Sequence, residues 1–276
     1  MSTTLKGCFF LDSMIILPQP WVDRIESADK FLKDAGNKCY LSSSVVKECN
    51  EILNDIYNWL VKDIRDNFKK FLNENGIQEI KRNSALTFER FFEQRKRQLA
   101  GKPDYYFLIQ EEIEHWIIQY IKSIGAGKAV SSIAFANFLN AKITEIYEAI
   151  SSKVEALDEI KIEPQPSVKA FLLQHGLKHE EDMNHLASAI QYQFVNNCWV
   201  VFVSFEGKSV LNFRDYLFRN SLFNLAKPDY AIDKLTSLLS DSNKPPVDSY
   251  RSIVKLTDHQ ERFVKAIKES VNVDLH

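Results

Sequence analysis

Residues 7–17 read GCFFLDSMIIL, an apolar run broken mainly by Asp12 and closed by Pro18 and Pro20. Strict polar–apolar alternation marks a strand with one wet face. A continuous apolar run marks a strand covered on both faces, as in a parallel sheet. The pattern therefore predicts a buried strand over Gly7–Leu17. It also singles out Asp12, because a carboxylate among Phe9, Phe10, Leu11, Met14 and Ile15 is costly to bury unless a cation or hydrogen-bond donors compensate it.

Outward from this run, Asp23–Ala35 has the spacing of an amphipathic helix, with Ile25, Phe31 and Leu32 on one side. Gly36 and Asn37 break it, and Cys39–Leu41 is a second strand. Ser42, Ser43 and Ser44 are good helix N-caps. The helix they open keeps Val45, Cys49, Ile52, Ile56 and Leu60 at helical spacing, and Gly76 ends it. Three further helices are predicted over Ser84–Ala100, Asp104–Ile124 and Ala129–Ile160, and a short one over Ser167–Gln174. The last third alternates again: a helix at Glu180–Phe194, a strand at Trp199–Ser204, a short helix at Ser209–Arg219 and a strand at Leu222–Ala226. Helices at Ala231–Leu239 and His259–Ser270 close the chain. Strand–helix alternation at both ends, with helices between, predicts an α/β parallel-sheet domain with a large all-helical insertion. The expected division is 1–64 with 161–240 for the α/β domain, 65–160 for the insertion and 241–276 for a helical tail.

The chain has 276 residues and a formal net charge of −2, so contact with a polyanion requires a local basic patch, not a general field. Cys8, Cys39, Cys49 and Cys198 form no C-x-x-C pair, which points to reduced core thiols in a cytoplasmic protein and away from a disulfide frame or zinc knuckle. The N-terminal apolar stretch is shorter than the roughly 20 residues a spanning helix needs, so no membrane association is expected. No phosphate-binding G-x-x-x-x-G-K-[ST] loop, G-x-G-x-x-G turn or G-x-S-x-G elbow is present.

Four acids stand in apolar surroundings or at element ends: Asp12 in the first strand, Glu48 one turn beyond the serine cap, Asp182 in the first turn of a later helix, and Glu206 just after the strand WVVFVS. Each alone has a structural explanation as a cap, a surface acid or a partner for Arg214. Together they make a set, because ligands of open α/β sheets collect at the carboxyl ends of strands. Clustered carboxylates repel unless a cation sits among them, and hard oxygen donors suit Mg²⁺ or Mn²⁺. His175, His179 and His185 are a weak zinc pattern, though Asp182-x-x-His185 places an imidazole one turn from a carboxylate. Basic residues with interleaved aromatics, Lys81, Arg82, Arg90, Arg95, Lys96 and Arg97 with Phe88, Phe91 and Phe92, form one candidate RNA contact. Lys208, Arg214 and Arg219 form another.

The order of these motifs resembles the PIN domain family. Phe10-Leu11-Asp12-Ser13 resembles its opening motif, Ser42–Glu48 its second, Asp182–Ile190 its third and Val203-Ser204-Phe205-Glu206 its fourth, with Glu206 where Asp is usual. The likeness covers about the first 60 residues and about 165–235. It implies a PIN-like, Rossmann-like three-layer domain that hydrolyses RNA. Asp12, Glu48 and Asp182 would hold Mg²⁺ or Mn²⁺, and Glu206 would assist catalysis. Ser13 and Ser204 would support the ligands, and Lys208, Arg214, Arg95 and Arg97 would contact RNA, most naturally single-stranded. A toxin of a toxin–antitoxin pair, a processing enzyme and a homodimer are compatible with this reading. So is a lapsed PIN-like module that binds RNA or protein, since Glu206 replaces Asp. A helical scaffold with an accidental α/β pattern is the remaining alternative.

Overall fold

The computed structural model describes residues 7–17, 22–174, 177–196, 198–205 and 224–241. The opening strand β1 is Gly7–Leu11, shorter than expected. The Ile15 N–H turns back to the Asp12 carbonyl at 3.0 Å, so Ser13–Ile16 is a single helical turn, α1. Ile15, Ile16 and Leu17 remain buried, which shows why the run misled: continuous apolarity reports burial and does not separate a strand from a buried turn.

Helix α2 (Val22–Ala35) buries Ala28, Phe31 and Ala35, whereas Ile25 is exposed. Strand β2 (Cys39–Ser42) leads into α3 (Ser43–Trp59). The chain continues through a wider, π-type stretch, Leu60–Asp66, into α4 (Asn67–Glu74), and stops near Gly76, whose φ of 62° suits glycine. Next come β3 (Glu79–Ile80), α5 (Ala85–Gln98), α6 (Asp104–Ser123), β4 (Val130–Ser131) and α7 (Ser132–Glu155). The helix expected to reach Ile160 ends at Glu155, and Asp158–Ile160 is strand β5. Its sequence, Asp-Glu-Ile, lacks an apolar strand pattern because it forms a short acidic edge, which discourages pairing with other chains. Helices α8 (Pro166–Gln174) and α9 (Glu180–Asn196), strands β6 (Trp199–Val203) and β7 (Asn224–Ala226), and a closing helix, Pro228–Asp241, follow. The helices expected at Ser209–Arg219 and His259–Ser270 lie outside the described residues.

The sheet order is β5-β2-β1-β6-β7, and every neighbouring pair is parallel. Cys8 and Phe10 of β1 and Val200 and Phe202 of β6 face α8 and α9, where Val168, Leu172, Leu186 and Ile190 complete one core layer. On the other face, Phe9 meets Phe31 of α2 edge-on at 5.1 Å, and the closing helix packs on α2, β1 and β6. A Cβ on Gly7 would stand 2.6 Å from Leu235 Cδ1, so this glycine permits a close approach of strand and helix. Helices cover both faces, as a three-layer α/β fold requires. The chain runs outward from β1 to β2 and β5, then returns to the other side of β1 with β6 and β7. That reversal lies between β1 and β6, the position at which ligands of open α/β sheets collect, at the carboxyl ends of the strands.

The chain forms two compact units. Residues up to 16, 22–49 and 155 onward make the sheet-bearing unit, and 50–154 make most of the helical unit. The insertion expected from the sequence, 65–160, falls largely within the helical unit. Helix α3 passes through the first boundary without a break in its apolar stripe, so the sequence carries no mark there. The core of the helical unit includes Phe68, Phe88 and Phe135, whose rings lie 5.2–6.0 Å apart, with buried Ile113, Ile117 and Ile121 of α6. All four cysteines are buried free thiols. Among the described residues no helix is long and apolar enough to cross a membrane.

Candidate metal centre

Strand pairing brings the first groups together. Leu11 is in register with Val203, so Asp12 and Ser204 leave the carboxyl ends of neighbouring strands side by side. The Asp12 N–H donates to the Val203 carbonyl at 3.0 Å, and this extra bond pins the carboxylate to the end of the sheet. Ser204 Oγ donates to Asp12 Oδ2, and Ser13 Oγ lies 3.4 Å from Oδ1. Asp12 is buried, and these hydroxyls offset part of the cost of burying its charge.

Glu48 arrives from the next strand. Ser42 ends β2 and caps α3, its hydroxyl accepting from the Val45 N–H at 3.4 Å. Glu48 follows on the second turn, with its side chain 27% exposed. Burial, reinforced by the charges of Asp12, Glu181 and Asp182, pushes its carboxyl up to about 7, while a hydrogen bond from Ser13 opposes the rise. Each of these neighbouring charges is negative. The site therefore holds more acid than its own donors compensate, which favours either a proton or a cation.

The third group comes from α9. His185 is 2% exposed, on the stripe that continues through Leu186, Ala189 and Ile190. The imidazole bonds to the backbone of Ser44, yet burial holds its pKa down to about 4, so it is neutral. Nε2 makes no hydrogen bond, so the bond to Ser44 uses Nδ1–H. The Nε2 lone pair then faces Glu48 Oε2 at 3.5 Å, and that oxygen is also buried and without a hydrogen bond. Two acceptors facing each other in a buried space are unfavourable until something positive stands between them. One ligand atom from each of Asp12, Glu48 and His185 lies within 4.8 Å of the others, as a shared ion requires.

Asp12 and Glu48 thus meet as the sequence suggests. Asp182 is half-buried one turn before His185 and acts on both Glu48 and His185 through its charge, while the three converging ligand atoms come from Asp12, Glu48 and His185. Sequence reasoning did not place His185 among the ligands. The available signal was Asp182-x-x-His185 combined with a position next to Leu186 on the buried stripe. Glu206, Lys208, Arg214 and Arg219 lie outside the described residues. Arg95 and Arg97 belong to the helical unit. Arg95 is committed to Asp63, donating to its carboxylate at 3.0 Å and its carbonyl at 2.8 Å, whereas Arg97 is exposed beside Glu93. Phe88, Phe91 and Phe92 are core residues, not open stacking faces.

Comparison with protein-family models, curated proteins and solved structures gave no match.

Proposed function

We propose that this chain is a divalent-metal-dependent endoribonuclease that hydrolyses RNA phosphodiester bonds at the centre built on Asp12 and Glu48. The observation that carries this reading is the convergence of two carboxylates, Asp12 just beyond the end of β1 and Glu48 on the helix that follows the neighbouring β2, where the charges acting on Glu48 are all acidic. The PIN-like order of motifs supports the choice of reaction and of RNA as substrate. Two carboxylates and a dication sum to zero charge, which removes the repulsion that otherwise keeps a proton on Glu48.

A divalent ion there, Mg²⁺ or Mn²⁺, would lower the pKa of a bound water and offset charge on the scissile phosphate. The chain's own groups do the rest. Asp12 and Glu48 would hold the ion, and Ser13 and Ser204 hold Asp12 in one orientation. Asp182 adds negative potential beside the centre and would help to orient a water there.

The test is cleavage of a single-stranded RNA by the full chain with Mn²⁺ or Mg²⁺, blocked by EDTA. Asp12→Asn keeps the size of the side chain and removes its charge. Cleavage is expected to fall by at least about a hundredfold, with circular dichroism unchanged. Wild-type protein that cuts no RNA with either ion, or a variant that cuts equally well, overturns the proposal.

A further inference from the structure

From the position of its unpartnered ring nitrogen, we infer that His185 is a direct third ligand, and that the centre selects a first-row transition ion of the Mn²⁺ type over Mg²⁺. This rests on the reading that Asp12 and Glu48 hold a divalent ion. It is independent of whether that ion cuts RNA.

The argument begins with the imidazole. The side chain of His185 is 3% exposed, so water does not satisfy Nε2. The opposite nitrogen is committed to the Ser44 backbone, which fixes the tautomer and the tilt of the ring. This is the arrangement that metal-binding histidines show: one N–H held by a carbonyl, the other nitrogen presenting its lone pair. That nitrogen lies 3.5 Å from Glu48 Oε2, the other orphaned atom, and both residues belong to the cluster with Asp12. Ser44 and Glu48 belong to the same helix, α3, so one element both orients the imidazole and supplies its neighbouring ligand.

The donor set then limits the ion. Mg²⁺ prefers oxygen donors in an octahedral shell and keeps several waters. A buried imidazole nitrogen contributes little to it. Mn²⁺ and its neighbours accept carboxylate oxygen and imidazole nitrogen together. Two carboxylates and one neutral nitrogen also leave a bound dication with no net charge, as a buried centre requires.

The experiment measures binding of Mn²⁺ and of Mg²⁺, each alone, to the chelator-treated full chain by calorimetry, for wild type and His185→Leu. Wild type is expected to bind Mn²⁺ at least about tenfold more tightly than Mg²⁺. The variant is expected to lose at least about tenfold in Mn²⁺ affinity and little in Mg²⁺ affinity, which abolishes the preference. Pulsed electron paramagnetic resonance of one equivalent of Mn²⁺ on wild-type protein should show coupling to an imidazole nitrogen, and this readout stands even if the variant fails to fold. Equal affinities, or Mn²⁺ without nitrogen coupling, overturn the inference while leaving a carboxylate-held ion and RNA cleavage intact. Selective Mn²⁺ binding without RNA cleavage overturns the proposed function and leaves this inference standing. No binding of either ion makes the site a Glu48–His185 pair sharing one proton and overturns both.

Discussion

Replacing Glu48 with glutamine should make the metal-free protein more stable while weakening its hold on metal. In the wild type, Glu48 Oε2 and His185 Nε2 face each other at 3.5 Å as two acceptors, neither hydrogen-bonded. A glutamine amide in the same place donates an N–H to Nε2, which satisfies both positions and removes a charge from an acidic cluster. An unsatisfied buried group costs about 1–3 kcal/mol. The rise of the Glu48 carboxyl from 4.5 to about 7 corresponds to roughly 3 kcal/mol of disfavoured ionisation at about 1.4 kcal/mol per unit. A net gain of about 1–3 kcal/mol is therefore expected, or a rise of roughly 3–8 °C in Tm. Its pH dependence follows from the direction of the shift. The folded pKa of Glu48 lies above the unfolded value, so its contribution to wild-type stability is full below about 4.5 and is lost as pH rises through about 7. Near pH 5.5 the protonated Glu48 can itself donate to Nε2, and the advantage of glutamine shrinks. His185 shifts the opposite way, down to about 4 in the wild type, so it is neutral at both pH values of the assay. The assay is scanning calorimetry of both proteins in EDTA near pH 5.5 and pH 8, then with excess Mn²⁺. At about a thousand times Kd the ion adds roughly 4.1 kcal/mol to wild type and much less to the variant, so the order reverses. A variant less stable than wild type in EDTA at pH 8, or a gain equally large at pH 5.5, would refute this account of the site.

Two further outcomes are expected. Ser204→Ala removes a hydroxyl that donates to the buried Asp12 carboxylate, so metal affinity should fall about tenfold or more in a calorimetric titration, with the fold retained. Arg95→Ala should destabilise the helical unit by about 1–3 kcal/mol in urea unfolding, because it strands the Asp63 contacts, while Arg97→Ala, fully solvated beside Glu93, should stay within about 0.5 kcal/mol.

The sheet was legible where both of its faces are covered. β1 and β6 lie at the centre, their apolar runs are continuous, and helices pack on both sides, so composition alone marks them. β5 was illegible for the opposite reason. An edge strand of three residues needs no apolar face, and Asp158-Glu159-Ile160 is held by its parallel pairing with β2, a contact made through backbone groups that side-chain patterns do not report. The end of β1 was misread by the same logic, since Met14–Leu17 is as apolar as a strand and folds as a turn because the Ile15 N–H finds the Asp12 carbonyl.

The site divides along a similar line. Asp12 declares itself, because a carboxylate inside an apolar run is costly to bury without a donor or a cation beside it. Glu48 needs a second fact, the serine cap, which fixes where its helix starts and so which turn carries it. His185 and Asp182 show why the remaining ligand could not be assigned from spacing. Both lie on α9 one turn apart, and helical periodicity alone allows either to face the strand ends. What separates them is depth. Asp182 sits in the first turn, where a helix N-terminus and nearby solvent accommodate a negative charge without any ion. His185 lies one turn deeper, where only a neutral group is tolerated and where the Ser44 backbone, on a different helix, selects which of its nitrogens carries the proton. The choice of ligand thus depends on a long-range contact between α3 and α9, and a motif read within either segment does not contain it.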